Sequence, residues 1–185
     1  NVVSGMKAPF AMVGAKINTE QTKPLKIIKA KLRGVESHGM LCSAEELGLE
    51  ESSDGLMELP SDAPVGQDFR AYLQLFDSMI ELDLTPNRGD CLGMRGIARE
   101  VGVLSRKEVC EPDFNAVGPV HNEEFSIIIS ATDACPRYLG RVIRNVKLKA
   151  SSPLWMQEKL RRSGLRSVDP IVDVTNFVLM ELGQP

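Results

Sequence analysis

Alternating basic side chains near the amino end are the residues best suited to chemistry in this sequence. Lys29, Lys31 and Arg33 occupy every second position. Because alternate residues of a strand project from one face, these cations predict a phosphate-contacting surface. The alternative is that they are solvated charges without a ligand. Residues 1–40 carry seven Lys and Arg against two Asp and Glu, and residues 137–185 carry nine against four, so both segments favour anions although the net charge is −3.

Other catalytic and metal-binding arrangements are missing from the sequence. His38 and His121 are the only histidines, and the four cysteines lie 49, 19 and 25 residues apart, which fits no zinc, haem or CxxC pattern. We expect buried, reduced thiols, no metal site and no covalent Ser-His-Asp or Cys-His mechanism. The 185 residues are 43% apolar and 25% charged, as in globular proteins, and no run of about 18 apolar residues predicts a membrane span.

Short apolar runs separated by turn residues occupy the first part of the chain, at residues 10–14, 25–30, 39–43 and 55–60. This spacing predicts a small barrel or sandwich. Ser43 and Glu46 have the spacing of a capping box, which predicts a single helical turn. Residues 79–84 alternate between apolar and polar and predict a further strand.

A helix is predicted after Asp90, which we expect to be its N-cap. Its apolar residues at helical spacing are Leu92, Ile97, Val101 and Leu104. Gly89, Gly93 and Gly96 predict close packing of another element, since glycine costs about 1 kcal/mol in a helix interior. Residues 111–123 contain two prolines and no Lys or Arg, and are predicted to be a linker.

The last part of the chain alternates between predicted strands, at residues 125–130 and 138–144, and predicted helices. Ser152 is expected to cap a helix that has Pro153 at its first position and ends at residues 163–164. The residues expected to face a core are Leu154, Trp155 and Leu160, and those expected to face solvent are Lys159, Arg161 and Arg162.

Asp169 and Pro170 predict the start of the last helix, and Gly183 predicts its end. Its apolar stripe consists of Ile171, Val174, Val178 and Leu182. Thr175 lies inside the stripe, where its hydroxyl either bonds the carbonyl four residues back or faces a cavity that needs a polar atom. Asp173 and Asn176 share the other face.

Five motifs in order along the chain resemble the β subunit of bacterial phenylalanyl-tRNA synthetase. Residues 31–40 read K-L-R-G-V-E-S-H-G-M, which is similar to the signature of its tRNA-binding OB-type domain, and residues 85–93 read T-P-N-R-G-D-C-L-G. The remaining motifs are C-P-R-Y-L-G at 135–140, P-L-W-M at 153–156, and a segment from G-L-R-S at 164–167 through D-V-T-N to E-L-G-Q-P at 181–185.

The resemblance implies an α+β fold in four parts. Residues 1–74 are expected to be a partial OB-type barrel, 75–110 a B1-like strand-helix segment, 111–123 a linker, and 124–185 the first strands and helices of a B3/B4 editing domain. We therefore expect a fragment of a longer chain. A cut barrel exposes edge strands, which predicts pairing with another copy or poor order near residues 1–20.

The resemblance also implies a function in a cytoplasmic phenylalanine–tRNA ligase, an α2β2 assembly that uses ATP and Mg²⁺. Its aminoacylation site lies in the α subunit, so we expect no aminoacylation residue and no cofactor in this chain. In the family the B3/B4 domain hydrolyses mischarged tyrosyl-tRNA, and a histidine of that site would follow residue 185. Such a second site is needed because an apolar pocket rejects an added hydroxyl by only roughly a hundredfold.

Site residues follow from the matching motifs. The tRNA-binding set is Lys29, Lys31, Arg33, Ser37 and Met40, of which Ser37 and Met40 equally suit a turn and a core. The implied editing-site set is Arg166, Thr175, Asn176 and Asp173.

In the editing set, Arg166 would hold a phosphate or the terminal adenosine, while Thr175 and Asn176 would place the ester or the attacking water. Alternatively, Arg166 forms a salt bridge with Asp169 or Asp173. Asp173 is expected to orient Arg166 rather than act as a general base.

Other interpretations remain open at this point. A free-standing OB-fold tRNA-binding or RNA-chaperone protein, a solitary editing hydrolase and a pure interaction scaffold each share part of the pattern. Arg88 either contacts an RNA backbone or ties its turn, built by Asn87 and Asp90, to a neighbouring domain, and we favour the structural role.

Overall fold

The computed structural model describes residues 1–17, 24–147 and 150–184. The chain divides into two compact units, Asn1–Phe76 (unit 1) and Asp77–Pro185 (unit 2). Short strands dominate unit 1 and helices joined by irregular segments dominate unit 2, which confirms the predicted α+β class. No helix among the described residues is both long and apolar enough to cross a bilayer.

Six short strands lie among the described residues of unit 1. They are β1 (Phe10–Met12), β2 (Lys16–Ile17), β3 (Leu25–Lys26), β4 (Ala30–Leu32), β5 (Val35–Ser37) and β6 (Gly39–Leu41). They pair antiparallel as β1 with β6, β2 with β3 and β4 with β5, giving three separate sheets. The described residues therefore form small sheets but no closed barrel, because each strand pairs on one side only. The chain from 1 to 17 is described and holds β1 and β2, whereas residues 18–20 lie outside the described residues.

Hydrogen bonds between residues close in sequence shape the segments that follow the strands of unit 1. The Ser43 amide donates to Glu46 Oε2 over 2.8 Å and the Glu46 amide donates to Ser43 Oγ over 3.1 Å, which confirms the predicted capping box. The strand predicted over residues 55–60 is wrong, since this segment forms only one bridge, between Lys7 and Leu59. A short helix, α1 (Phe69–Tyr72), begins after its N-cap Asp68.

The buried apolar side chains of unit 1 come from its strands, its capped turn and its helix. They are Ile27, Cys42, Ala44, Ala63 and Leu73. Burial raises the pKa of the Cys42 thiol. The prediction of buried thiols holds for Cys42 and Cys91, whereas Cys135 is half-buried and Cys110 is exposed.

Unit 2 contains a 3₁₀ turn (Gly89–Cys91) followed by α2 (Met94–Ser105), α3 (Leu154–Arg162) and α4 (Pro170–Leu182). Gly93, not Asp90, is the N-cap of α2, because Arg88 holds the Asp90 carboxylate.

Two of the three glycines at the start of α2 lie against other backbone, as predicted. A Cβ on Gly93 would lie 2.8 Å from the amide nitrogen of Gly183 at the end of α4, and one on Gly96 would lie 1.8 Å from the Asp90 carbonyl oxygen. The prediction is wrong for Gly89, which has nothing within 4 Å of that position.

The start of α3 differs from the prediction. Pro153 is the N-cap and no side chain caps the helix. Ser152 is buried and its hydroxyl instead donates to Asp173 Oδ2 over 2.5 Å. The end is as predicted, with Ser163 as the C-cap and Gly164 at φ 77°.

The faces of α3 also differ in part. Leu160 is 1% exposed, as expected for a core residue, but Trp155 is 53% exposed. Arg162 was expected to face solvent, yet its side chain is only 15% exposed because it pairs with Asp77 and Glu158.

Helix α4 begins and ends where the sequence predicts. Asp169 Oδ1 accepts from the Ile171 amide over 2.8 Å, and Gly183 closes the helix at φ 71°. The predicted apolar stripe is not its buried face, because Ile171 is 57% and Val174 48% exposed whereas Asp173 is fully buried. Asp173 and its three hydrogen-bond donors lie on the covered side of α4.

The strands predicted over residues 79–84, 125–130 and 138–144 are irregular in the structure. Most of their apolar side chains are exposed, with Ile80 at 79%, Ile128 at 88% and Ile143 at 71%. A helix satisfies its backbone hydrogen bonds internally, but a strand requires a neighbouring strand. None of these segments has a strand partner among the described residues.

Candidate functional site

The β4–β5 hairpin of unit 1 positions the three basic residues of the predicted phosphate surface. Lys31 lies in β4, Lys29 precedes it, and Arg33 lies in the turn with φ 47°, followed by Gly34 at φ 86°. Positive φ at both central residues is what a two-residue hairpin turn of type I′ requires. The expected alternation along one strand is therefore wrong for Arg33, which the turn places at the hairpin tip.

The three cations of the hairpin differ in their partners. Lys29 Nζ lies 2.8 Å from Glu36 Oε2 on β5, and His38 Nε2 lies 3.4 Å from the same oxygen. Lys31 and Arg33 are exposed and form no ion pair among the described residues. Arg33 thus lies at the tip, Lys31 lies in the middle of β4 opposite Glu36, and the Glu36 carboxylate is paired with Lys29.

The other motif residues of unit 1 shape the backbone. Ser37 Oγ donates to the Gly39 carbonyl oxygen over 2.9 Å. A Cβ on Gly39 would lie 2.2 Å from the Phe10 ring and 2.6 Å from the Ala11 carbonyl oxygen, so only glycine fits there without a shift. Met40 is half-buried opposite Ala11 in the β1–β6 pair. These contacts favour the structural role that the sequence left open for Ser37 and Met40.

Asp173 in unit 2 is fully buried and organises the approach to α4. Its carboxylate accepts from Ser152 Oγ and Ser167 Oγ, each over 2.5 Å, and from the Val168 amide over 2.9 Å. Burial alone would raise the pKa of Asp173, but these three hydrogen bonds outweigh it and hold the pKa below its ordinary value. The ionised carboxylate joins the segment before α3, the loop between the helices, and α4.

Arg166 lies in the loop between α3 and α4 with an exposed side chain. The salt bridge that the sequence allowed with Asp169 or Asp173 is absent from the described residues. Asp169 caps α4, and the three bonds of Asp173 go to serines and an amide, so the expectation that Asp173 orients Arg166 is wrong. Arg166 is an accessible cation with no counterion among the described residues.

Thr175 and Asn176 are neighbours on α4 but differ in their surroundings. Thr175 is exposed, and its hydroxyl donates to the Val172 carbonyl oxygen over 2.8 Å, three residues back rather than four. Asn176 is half-buried, and its amide group has no hydrogen-bond partner among the described residues. Consecutive helix residues lie about 100° apart, so these two side chains leave α4 in different directions.

Arg88 occupies the centre of the turn before α2. Its guanidinium bonds both oxygens of Asp90 over 3.1 Å, Glu100 Oε1 over 2.6 Å and Cys91 Sγ over 3.0 Å. The bonds to Asp90 and then to Glu100 raise the pKa of Arg88 above its ordinary value. These contacts favour a structural role, but Arg88 ties the turn to α2 of the same unit rather than to a neighbouring domain.

The same cluster contains the ligand types of a metal site. Atoms of Asp90, Cys91 and Glu100 lie within 4.8 Å of one another. The Arg88 guanidinium hydrogen-bonds all three groups and supplies the positive charge that a cation would otherwise bring. The cluster is therefore an arginine-centred network.

Helices α3 and α4 share an aromatic contact that the sequence pattern did not predict. The Trp155 and Phe177 rings meet edge to face, with centroids 5.4 Å apart and an interplanar angle of 86°. Lys159 Nζ lies 5.9 Å from the Trp155 ring centroid and 5.8 Å from that of Phe177. The spacing of Trp155 and Lys159, four residues apart on a predicted helix, is the signal that places them side by side.

Comparisons with known proteins cover both units. The family described as "Putative tRNA binding domain" matches residues 1–68, and the family described as "B3/4 domain" matches residues 134–185.

Similar proteins match over the whole chain. The phenylalanine–tRNA ligase β subunits of Shewanella oneidensis and of Pseudomonas syringae pv. syringae are each 60% identical over 185 residues, which is 100% of this chain and 23% of theirs. The corresponding protein of Idiomarina loihiensis is 59% identical over 181 residues, 98% of this chain and 22% of its own length. The chain thus spans less than a quarter of these relatives.

Proposed function

This chain belongs to the family of phenylalanine–tRNA ligase β subunits, and from that premise we propose that it supplies tRNA contacts and part of an editing domain to a ligase that joins phenylalanine to its tRNA. The observation that carries the proposal is the 60% identity over all 185 residues. A free-standing RNA-binding protein is not favoured, because the identity continues through both units.

Contact with tRNA is assigned to the β4–β5 hairpin, through Lys31 in β4 and Arg33 at the tip. Lys31 and Arg33 are exposed cations without a carboxylate partner among the described residues. The only exposed aromatic ring in the strands of unit 1 that the structure describes is Phe10, at 54%, and it lies over Gly39. Phosphate contacts with little base recognition are the expected result, so binding should be weak and sensitive to salt.

The hairpin proposal is tested by fluorescence anisotropy of labelled tRNA at several salt concentrations. The double variant Lys31→Gln with Arg33→Gln should weaken binding and reduce the salt slope by about 1.5, since each lost phosphate contact removes about 0.7–0.9. Lys29→Gln is the matched control, with a smaller expected effect because Glu36 already neutralises this lysine. Equal effects of the two variants would contradict the assignment.

The segment after residue 124 is proposed to be the start of the editing domain. A site built to hydrogen-bond the phenol of tyrosine disfavours phenylalanine, because its buried polar groups would be left unpaired. Arg166 is the accessible cation proposed to hold a phosphate or the terminal adenosine. Thr175 and Asn176 are proposed to place the ester or the attacking water, and water attack assisted by the substrate's own ribose hydroxyl requires no covalent intermediate.

Arg166→Ala tests the editing role in the whole ligase. Slower clearance of mischarged tyrosyl-tRNA at unchanged aminoacylation is expected. Thr175→Ala tests the second role, and Val174→Ala, also exposed on α4, is its control. Normal clearance by a well-folded Arg166→Ala ligase would mean that this segment is a scaffold.

The finer architecture and the rest of the ligase are part of the same proposal. Residues 1–74 would complete an OB-type barrel together with further strands, 75–110 would be the B1-like segment, and 111–123 the linker. The whole enzyme would be a cytoplasmic α2β2 assembly with an α subunit that holds the aminoacylation site and uses ATP and Mg²⁺.

A further inference from the structure

Helices α3 and α4 present a group that the proposed function does not use, here named the aromatic–lysine cluster: the exposed Trp155 and Lys159 with the half-buried Phe177. Trp155 is 53% exposed although tryptophan is a residue that folding normally covers. Lys159 Nζ lies within 6 Å of both ring centroids, at 5.9 and 5.8 Å, which is the range of a cation–π contact.

The charge of this cluster comes from Lys159. Its basic neighbours on α3 have carboxylate partners, since Arg161 pairs with Glu158 over 2.9 Å and Arg162 pairs with Asp77 over 3.0 Å. Lys159 forms no ion pair within the parts of the chain that the structure describes. The exposed Trp155 ring and a lysine that has no counterion among the described residues therefore lie side by side.

We propose that the aromatic–lysine cluster binds an unpaired nucleotide of RNA, with the base stacked on Trp155 and a phosphate at Lys159. A nucleotide joins a flat aromatic group to a negative charge within a few ångströms, which complements both features of the cluster. Aromatic stacking tolerates any base and adds to backbone contacts on single strands. This inference rests on the proposed tRNA function and adds a contact on α3 to those of the β4–β5 hairpin.

Trp155 is the only tryptophan of the chain, so its fluorescence reports directly on the cluster. Titration with a single-stranded oligoadenylate of about six nucleotides should quench this fluorescence to a saturating level. Lys159→Gln should weaken the quenching titration roughly tenfold and reduce its salt slope by about 0.7. Lys107→Gln, another exposed lysine of unit 2, is the matched control and should leave the titration unchanged.

Trp155→Leu tests the stacking itself through the anisotropy of the labelled oligoadenylate. Affinity should fall roughly 5- to 150-fold, which is the range for loss of one stacked base. Phe177→Leu keeps an apolar side chain but removes the second ring, and should give a smaller loss. Urea unfolding midpoints of both variants separate a loss of binding from a loss of folding.

Three results would overturn the inference. The first is that the oligoadenylate does not quench Trp155 fluorescence, and the second is that Lys159→Gln and Lys107→Gln have equal effects. The third is a Trp155 signal that changes with protein concentration alone, which would assign the surface to a second copy of the chain. Binding of labelled tRNA distinguishes the two proposals. If tRNA binds through Lys31 and Arg33 without quenching Trp155, only the cluster proposal fails.

Discussion

Replacing Asp173 by alanine should destabilise unit 2 more than any other single change on α4. The carboxylate is fully buried and accepts three hydrogen bonds, from Ser152, Ser167 and Val168. Hydrogen bonds to a charged group contribute about 1.5–3 kcal/mol each, and a buried donor left unsatisfied costs about 1–3 kcal/mol.

The three donors would not be affected equally. Ser152 is only 6% exposed, so its hydroxyl would lose its partner without access to water. Ser167 is half-buried and Val168 is exposed, so water can replace part of their bonding. We therefore expect Asp173→Ala to lower the free energy of unfolding by about 3 kcal/mol, roughly a hundredfold in the equilibrium constant.

Urea unfolding followed by Trp155 fluorescence measures this loss, since Trp155 lies in α3 of the same unit. Asp173→Asn should cost only about 1 kcal/mol, because its carbonyl oxygen still accepts from Val168 and the serine hydroxyls can rotate to accept from its amide. Thr175→Ala, an exposed change on the same helix, should stay within about 0.5 kcal/mol. A loss below about 1 kcal/mol for Asp173→Ala would refute the view that this carboxylate holds α3, the loop and α4 together.

Two further predictions follow from the same unit. Because the folded pKa of Asp173 lies below its ordinary value, its contribution to stability is present above about pH 4, the unfolded pKa, and is lost as the pH falls through the folded pKa. Stability measured against pH should therefore fall less steeply in acid for Asp173→Asn than for the parent chain, and parallel curves would contradict this. Gly93→Ala and Gly96→Ala should each lower unfolding stability by about 1–3 kcal/mol, because their Cβ atoms meet backbone. Gly89→Ala has open space and should not destabilise, and equal losses at all three glycines would show that the close approach is unimportant.

Local structure was largely predictable because its determinants lie within a few residues of one another. The Ser43 and Glu46 capping box, the Asp169 cap of α4 and the closing Gly183 each depend on a side chain or a φ value at one position. The alternation of basic residues likewise predicted the strand that carries Lys31, but not the turn at Arg33. The family itself was evident from sequence motifs, because each motif is a short run of residues.

Tertiary structure decided which groups meet, and several predictions from the sequence were wrong for this reason. Ser152 reads as a helix cap, but a buried carboxylate 21 positions later takes its hydroxyl. The stripe beginning at Ile171 predicts the covered face of α4, but the fully buried Asp173, with its three hydrogen bonds, lies on the opposite side. Three segments that alternate like strands are irregular in the structure, at residues 79–84, 125–130 and 138–144. Alternation of apolar and polar residues predicts which side chains would share a face of a strand, but a strand forms only where a neighbouring strand can pair with it. The sequence alone thus determined both ends of α4, the capping box and the family, because these depend on neighbouring residues, while contacts between distant residues decided which groups are buried and paired.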